Sequence, residues 1–161
     1  MKIDNWDKNI QYTSICDWTG IKSKNYKKNY INGVEIRVIS DPTHIVCGER
    51  GIFAEKEFKV GDIVGQYTGK IVTSDEFGKY VASLKTDDDL LGVDAENAGN
   101  EMRFINDYRN IKSEPNCQLS HTSVDGKPIV LVCVVKNINE NDELLLNYGE
   151  GYWESFVKAN K

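Results

Sequence analysis

Three short segments of this 161-residue chain carry residue types suited to binding and chemistry rather than to packing alone. The first, Gly48-Glu-Arg-Gly-Ile-Phe-Ala54, is a glycine turn that leads into apolar residues. Glycine there lets backbone groups come close to a small ligand. The second, Gly99-Asn-Glu-Met-Arg-Phe-Ile-Asn-Asp107, is followed by Pro115-Asn-Cys117. It sets Asn106 directly after the apolar pair Phe104-Ile105, and an amide that can both donate and accept suits an adenine edge. The third, Glu143-Leu-Leu-Leu-Asn-Tyr-Gly149, puts the hydroxyl of Tyr148 at the end of a strand beside a glycine. Taken alone, each has a plainer structural reading: a turn, a turn-capping Asn, a core or rim tyrosine. The two histidines add a different possibility. His44-Ile-Val-Cys47 and Cys117-x-x-x-His121 pair His with Cys at ligand-like spacing, as a metal-binding module would. Neither is a common zinc pattern, and both pairs fall in loops flanking the other segments.

The elements that must position these segments read as short strands joined by tight turns. Val34–Ile39 alternates apolar and charged residues, as a half-buried strand does. Ile52–Ala54, Ile63–Tyr67, Lys70–Val72 and Leu90–Val93 read as further strands. Gln118–His121 and Ile129–Val135 flank Asp125-Gly126, a strong hairpin signal, and the second of them is apolar on both faces, so it should be buried. Glu143–Leu146 is a last short strand. Between the strands, Thr73 and Glu76 suggest a capping box. Phe77, Tyr80, Val81 and Leu84 then recur at helical spacing, so a helix is expected there, ended by a solvated acidic loop at Asp87-Asp88-Asp89. Trp153, Phe156 and Val157 suggest a short terminal helix. Residues 1–30, with Trp6, Tyr12, Trp18, Tyr26 and Tyr30, show no clean period and read as an irregular flank that packs its aromatics onto the main domain. The expectation is one mainly β domain.

Length allows one domain with a real core. Hydrophobic residues make up 40 % of the chain, which marks it as globular. The net charge of −5 disfavours direct nucleic-acid binding, which depends on phosphate neutralisation, and suits a cationic partner. A local cluster, Lys22, Lys24, Lys27 and Lys28, reads as a solvated loop or as a weak nuclear-import or nucleic-acid patch. No secretion signal and no bilayer-spanning apolar run is visible, so an intracellular setting, nuclear or cytoplasmic, with reduced cysteines is expected.

In this order and spacing the segments resemble the SET domain of protein lysine methyltransferases, from about Val34 to Trp153. Gly51-Ile-Phe-Ala resembles the family's first cofactor loop and Tyr67-Thr-Gly69 its Tyr-x-Gly segment. Arg103-Phe-Ile-Asn106 resembles its Arg-Phe-x-Asn core, and Glu143-Leu-Leu-Leu-Asn-Tyr148-Gly its closing tyrosine motif. The resemblance implies a β-clip fold of several small sheets with a knot-like C-terminal segment and one or two short helices. It divides the chain into a flank at 1–30, a SET domain at 31–149 with a helical insert at about 73–92, and a short helix at 150–161 that closes the substrate channel. Three departures stand out. Glu49 occupies the position of a family glycine. Asn106-Asp107-Tyr108-Arg109 replaces Asn-His-Ser-Cys. No cysteine follows Cys133, so the C-terminal zinc site of some relatives cannot form and no metal is expected.

What the resemblance implies chemically is methyl transfer from S-adenosylmethionine to a lysine of a protein, with histone tails as the expected substrate and a non-histone protein as the alternative. Tyr148 and Tyr67 are then the catalytic hydroxyls. Arg50, Gly51, Ile52, Phe53, Tyr80, Arg103, Phe104, Asn106, Asp107 and Tyr148 are the cofactor contacts, and Tyr67, Leu146, Tyr152 and Trp153 line the lysine channel, with Phe156 beside them. Leu146 stands where the family often has Tyr or Phe, which implies more than monomethylation. A rival reading, motivated by Glu49 and Asp107, is an inactive SET-like module that binds a lysine-bearing peptide. Tyr148 and Tyr67 argue against it, and calorimetry with S-adenosylmethionine separates the two.

Overall fold

Short strands with few helical turns build several small sheets around one core. The computed structural model describes residues 3–17, 33–74, 77–86, 90–124 and 126–159. Strands β2 (Val34–Val38) and β3 (Arg50–Ala54) pair antiparallel with Ile36 opposite Ile52, and both of these side chains are buried. The other edge of β3 is covered by the chain near residue 142. Ala54 N donates to Asp142 O at 2.9 Å and Leu144 N donates to Ile52 O at 2.8 Å. Strand β3 is therefore satisfied on both sides, as a buried backbone must be.

Strands β10 (Cys117–Val124) and β11 (Lys127–Val134) form the expected hairpin, its register running from Cys117 opposite Val134 to Val124 opposite Lys127. Its turn includes Gly126 at φ +75°, a conformation in which glycine carries no Cβ penalty. Strand β4 (Ile63–Tyr67) pairs with the other edge of β11. Strand β11 is thus central, and Val130, Val132 and Val134 are buried, as its unbroken apolar run requires.

Strands β5 (Lys70–Thr73), β6 (Val81–Lys85) and β7 (Leu90–Asp94) make a second three-stranded sheet with β7 in the middle. This corrects the helix expected from Thr73 onward. Thr73 ends β5 and Val81–Lys85 is a strand; Glu76 and Asp87–Asp89 lie outside the described residues. The physical reason is tertiary. Ala82 and Leu84 point to the core at period two, while Val81 and Phe77 lean over Gly92 of β7. A Cβ on Gly92 would lie 2.4 Å from Val81 Cγ1 and 2.7 Å from Phe77 Cε1, so glycine makes that crossing possible. Cross-strand packing overrides the local helical spacing.

The N-terminal flank is anchored over its described part. Strand β1 (Gln11–Tyr12) pairs in parallel with β8 (Ala98–Gly99). Trp6 meets Tyr12 and Phe104 edge-on, with ring centroids 5.3 and 5.6 Å apart. Trp18, Tyr26, Tyr30 and the lysine cluster lie outside the described residues.

A 3-10 turn at Glu101–Phe104 follows β8, with the Asn100 side chain accepting from Met102 N. It leads into β9 (Asn106–Asp107), which pairs in parallel with β12 (Leu145–Leu146). On the other side of β12 stands Asn116. Its amide oxygen accepts from Leu145 N at 2.7 Å and its amide nitrogen donates to Glu143 O at 2.8 Å. Residues 143–146 therefore run between β9 and the Asn116 loop, bonded to both. Helix α1 (Glu150–Ala159) follows, as Trp153 and its spacing led one to expect.

Candidate active site

Tyr148 stands just beyond β12, where Gly149 at φ +86° turns the chain into α1. Its hydroxyl donates to Ile105 O at 2.7 Å and its backbone N donates to Asp107 Oδ2 at 2.7 Å. Both acceptors flank Asn106, so the second and third segments of the sequence meet here. The Tyr148 ring meets Tyr152 edge-on at 4.8 Å, and Tyr152 meets Trp153 at 5.6 Å. The residue as a whole is 38 % exposed, but its hydroxyl end is turned inward. Burial pushes the phenol pKa well above its ordinary value, and the neighbouring Tyr67, Tyr152, Asp107 and Tyr80 add to the rise. At neutral pH this hydroxyl is a donor and not a base.

Tyr67 closes β4 and is buried. Its hydroxyl donates to Tyr80 O at 2.9 Å. Burial raises its pKa too, opposed in part by the nearby charge of Arg103. The guanidinium of Arg103 lies over the rings of Tyr80, at 4.3 Å, and Phe104, at 4.7 Å, while its Nε donates to Ala95 O at 2.9 Å. Arg103 is thus occupied with protein partners and braces the wall that holds Tyr80 and Tyr67.

On the opposite side, Asn106 uses its amide nitrogen twice. It donates to Arg50 O at 3.1 Å and to Glu143 Oε1 at 2.9 Å. The second oxygen of Glu143 meets His44 Nε2 at 2.9 Å. Gly51 lies against this cluster. A Cβ there would fall 2.7 Å from Glu143 Oε1 and 3.2 Å from Asn106 Nδ2, so any side chain at this position would have to displace the Glu143 carboxylate. Arg50 reaches back to the flank, its Nε donating to Asn5 O at 2.7 Å. Ile52 is fully buried and Phe53 lies under Arg37, with 4.9 Å from guanidinium carbon to ring, so the side chains of these two expected cofactor contacts serve the sheet.

Asp107 is buried, and its carboxylate accepts from Tyr148 N, Arg109 N and Arg109 Nη1 at 2.7, 2.9 and 2.9 Å. Arg109 Nη1 also donates to Asn147 Oδ1 at 3.1 Å, and its guanidinium lies 5.8 Å from the Trp153 ring centroid. The two residues that replace the family's His and Cys thereby pin the turn that carries Tyr148. Leu146 is buried opposite Asp107. The side chain of Phe156 lies outside the described residues.

Neither His–Cys pair forms a ligand set. His44 bonds to Glu143, and His121 Nε2 lies 2.8 Å from Ser83 O. Among the described residues no group of three or more His, Cys, Asp or Glu side chains is arranged to hold a metal ion. The sequence reading missed Glu143, Asn116 and the non-metal role of His44. The available signal was a lone carboxylate opening the apolar run Leu144-Leu145-Leu146.

Residues 49–149 match the family model described as the SET domain. Histone-lysine N-methyltransferase trithorax of Drosophila virilis is 30 % identical over 109 residues, covering 62 % of this chain and 3 % of that protein. Histone-lysine N-methyltransferase MEDEA of Arabidopsis thaliana is 29 % identical over 109 residues, covering 63 % of this chain and 15 % of that protein. The chain thus spans a small part of the curated relatives it matches. A structure of ctPRC2 in an autoinhibited conformation bound to S-adenosylmethionine superposes with a TM-score of 0.61 at 22 % identity, over 81 % of this chain and 17 % of that one, a likeness of fold.

Proposed function

The chain belongs to the SET-domain family, and from that premise we propose that it is an S-adenosylmethionine-dependent protein-lysine N-methyltransferase that acts on histone tails. The observation that carries the proposal is the meeting of Asn106, Ile105 O and the inward-turned Tyr148 hydroxyl at the β9–β12 pair. The residues fit the cofactor. Asn106 commits its amide nitrogen to the protein and so offers its carbonyl oxygen to a donor. Gly51 lets the Glu143 carboxylate and the Asn106 amide come up against β3. Ile105 O and the Asp107 carboxylate are both engaged in holding Tyr148 beside Asn106.

S-adenosylmethionine supplies, when bound, an electrophilic methyl group on a positively charged sulfur. The chain's own residues do the rest. Lysine has an ordinary pKa of about 10.4 and must be neutral to attack. A channel walled by Leu146, Tyr152 and Trp153 favours the neutral amine by desolvation. Tyr148 and Tyr67, held protonated by burial, orient that amine as hydrogen-bonding phenols and need not take its proton, which passes to water. Alignment of nitrogen and methyl carbon at roughly 3–3.5 Å is the catalytic contribution.

The net charge of −5 suits a basic tail, because complementary charge guides encounter. A histone substrate places the protein in the nucleus. Among the described residues no helix is long and apolar enough to cross a membrane. Transfer of radiolabelled methyl groups to histones and to a cell lysate tests the proposal, with Tyr148→Phe as control. Labelled histone with wild-type protein and a loss of about 100-fold or more in kcat with Tyr148→Phe are expected. Full activity of the variant would overturn the assignment of Tyr148.

A further inference from the structure

The carboxylate of Glu143 is buried, and burial of a charge is costly unless its oxygens are met. Its backbone does not need it. Glu143 O is already bonded to Asn116, and the residue bridges Phe53 of β3. What the carboxylate does instead is join two groups that are far apart in the chain, Asn106 on one oxygen and His44 on the other.

His44 is itself oriented. Its Nδ1 accepts from Val46 N at 3.3 Å, which leaves the proton on Nε2, the nitrogen that faces Glu143. The ring is therefore a donor to the carboxylate, and Glu143 Oε1 is left as an acceptor for Asn106. An amide side chain has two donors on nitrogen and an acceptor on oxygen, and its flip is decided by its partners. With Arg50 O and Glu143 Oε1 both accepting from it, the Asn106 nitrogen is locked inward. Gly51 leaves the room that this arrangement needs.

We propose that His44 and Glu143 are positioning residues for the cofactor. Glu143, aimed by His44, holds Asn106 so that its carbonyl oxygen faces an N–H donor of S-adenosylmethionine. This rests on the methyltransferase reading and adds the relay His44–Glu143–Asn106 to it. Without the relay only Arg50 O holds the amide, and a flip that presents a nitrogen where an acceptor is required becomes less costly.

The test is titration calorimetry of the full chain with S-adenosylmethionine, beside steady-state kinetics on a histone-tail peptide. His44→Ala is expected to weaken cofactor binding about tenfold, as loss of a hydrogen bond to a charged group does. The peptide KM should stay unchanged, and circular dichroism should show an intact cooperative melt. Glu143→Ala should weaken binding at least as much, and Glu143→Gln, whose single amide oxygen can accept from only one of His44 and Asn106, should weaken it about as much as His44→Ala does. In an Asn106→Ala background, His44→Ala should cost nothing further, an outcome that a general structural role would not give. Should Glu143→Ala fail to fold, the His44 arms decide alone. Cofactor binding by His44→Ala equal to that of wild type, or an undiminished loss in the Asn106→Ala background, overturns the relay. Wild-type protein that binds no S-adenosylmethionine overturns the methyltransferase reading, and the relay with it.

Discussion

Tyr148 is committed as a donor before any substrate arrives, because its proton already serves Ile105 O and burial opposes its ionisation. A residue in that state can orient an amine but cannot drain it of protons. On the proposed methyltransferase reading, the number of methyl groups a lysine accepts depends on the other walls of its channel. Leu146 is buried one register step from Asn106 and presents no hydroxyl to hold a water or to restrain a methylated nitrogen. Dimethyl- and trimethyl-lysine are therefore expected at exhaustive turnover, and Leu146→Tyr should shift the products toward monomethyl-lysine. Mass spectrometry of a histone-tail peptide checks both, and monomethyl-lysine alone from the wild type would refute the first. At this scale Tyr148, Tyr67 and Asn106 were legible, since a hydroxyl or amide beside a glycine or an apolar pair is visible in sequence. Glu143 and His44 were not. Their pairing spans 99 positions, and the carboxylate that opens the Leu144–Leu146 run does not name its partner.

The elements that carry these residues are short, and most were legible from period and turn chemistry. The apolar run of β11 and the Asp-Gly turn signal each name their structure without outside help. Strand β6 does not. Val81 and Leu84 of β6, with Phe77 and Tyr80 before it, satisfy a helical spacing, and only pairing with β7 across Gly92 makes the strand the better solution. The threading of β12 was equally hidden, because two residues have too little pattern to declare a partner. Asn116 holds that thread by satisfying one donor and one acceptor of the buried backbone at Leu145 and Glu143. Asn116→Ala should leave both groups unmet and lower stability by about 2–3 kcal/mol. Because Glu143 and Tyr148 follow the same thread, activity should fall with it. Urea denaturation of the variant measures the first effect. A stability within about 0.5 kcal/mol of wild type would mean that β9 alone holds β12.

For the whole molecule, the site closes the fold on itself. Arg50, Asn106, Glu143 and Tyr148 come from elements spread over most of the chain, and the flank adds its own clasp through Asn5 and Trp6. Three phenols border this closure, Tyr67 buried within it and Tyr12 and Tyr148 partly exposed at its rim. Tyr12, beside Glu101, has its pKa pushed by burial from 10.0 to about 12, and burial raises Tyr67 and Tyr148 as well. In the unfolded chain each ionises near its ordinary value, while in the folded chain each holds its proton to higher pH. Their contribution to stability is therefore complete below about pH 10 and is lost as pH rises above it, since the unfolded state then releases protons that the folded state retains. Burial raises the thiols of Cys16, Cys117 and Cys133 as well, so the urea midpoint should begin to fall at about pH 9, where those thiols ionise in the unfolded chain, and fall steeply by about pH 11 as the phenols follow. Tyr67→Phe, which removes one of the three titrating phenols, should make that fall shallower. An alkaline limb identical in wild type and variant would show that Tyr67 does not ionise on unfolding in the way its burial demands.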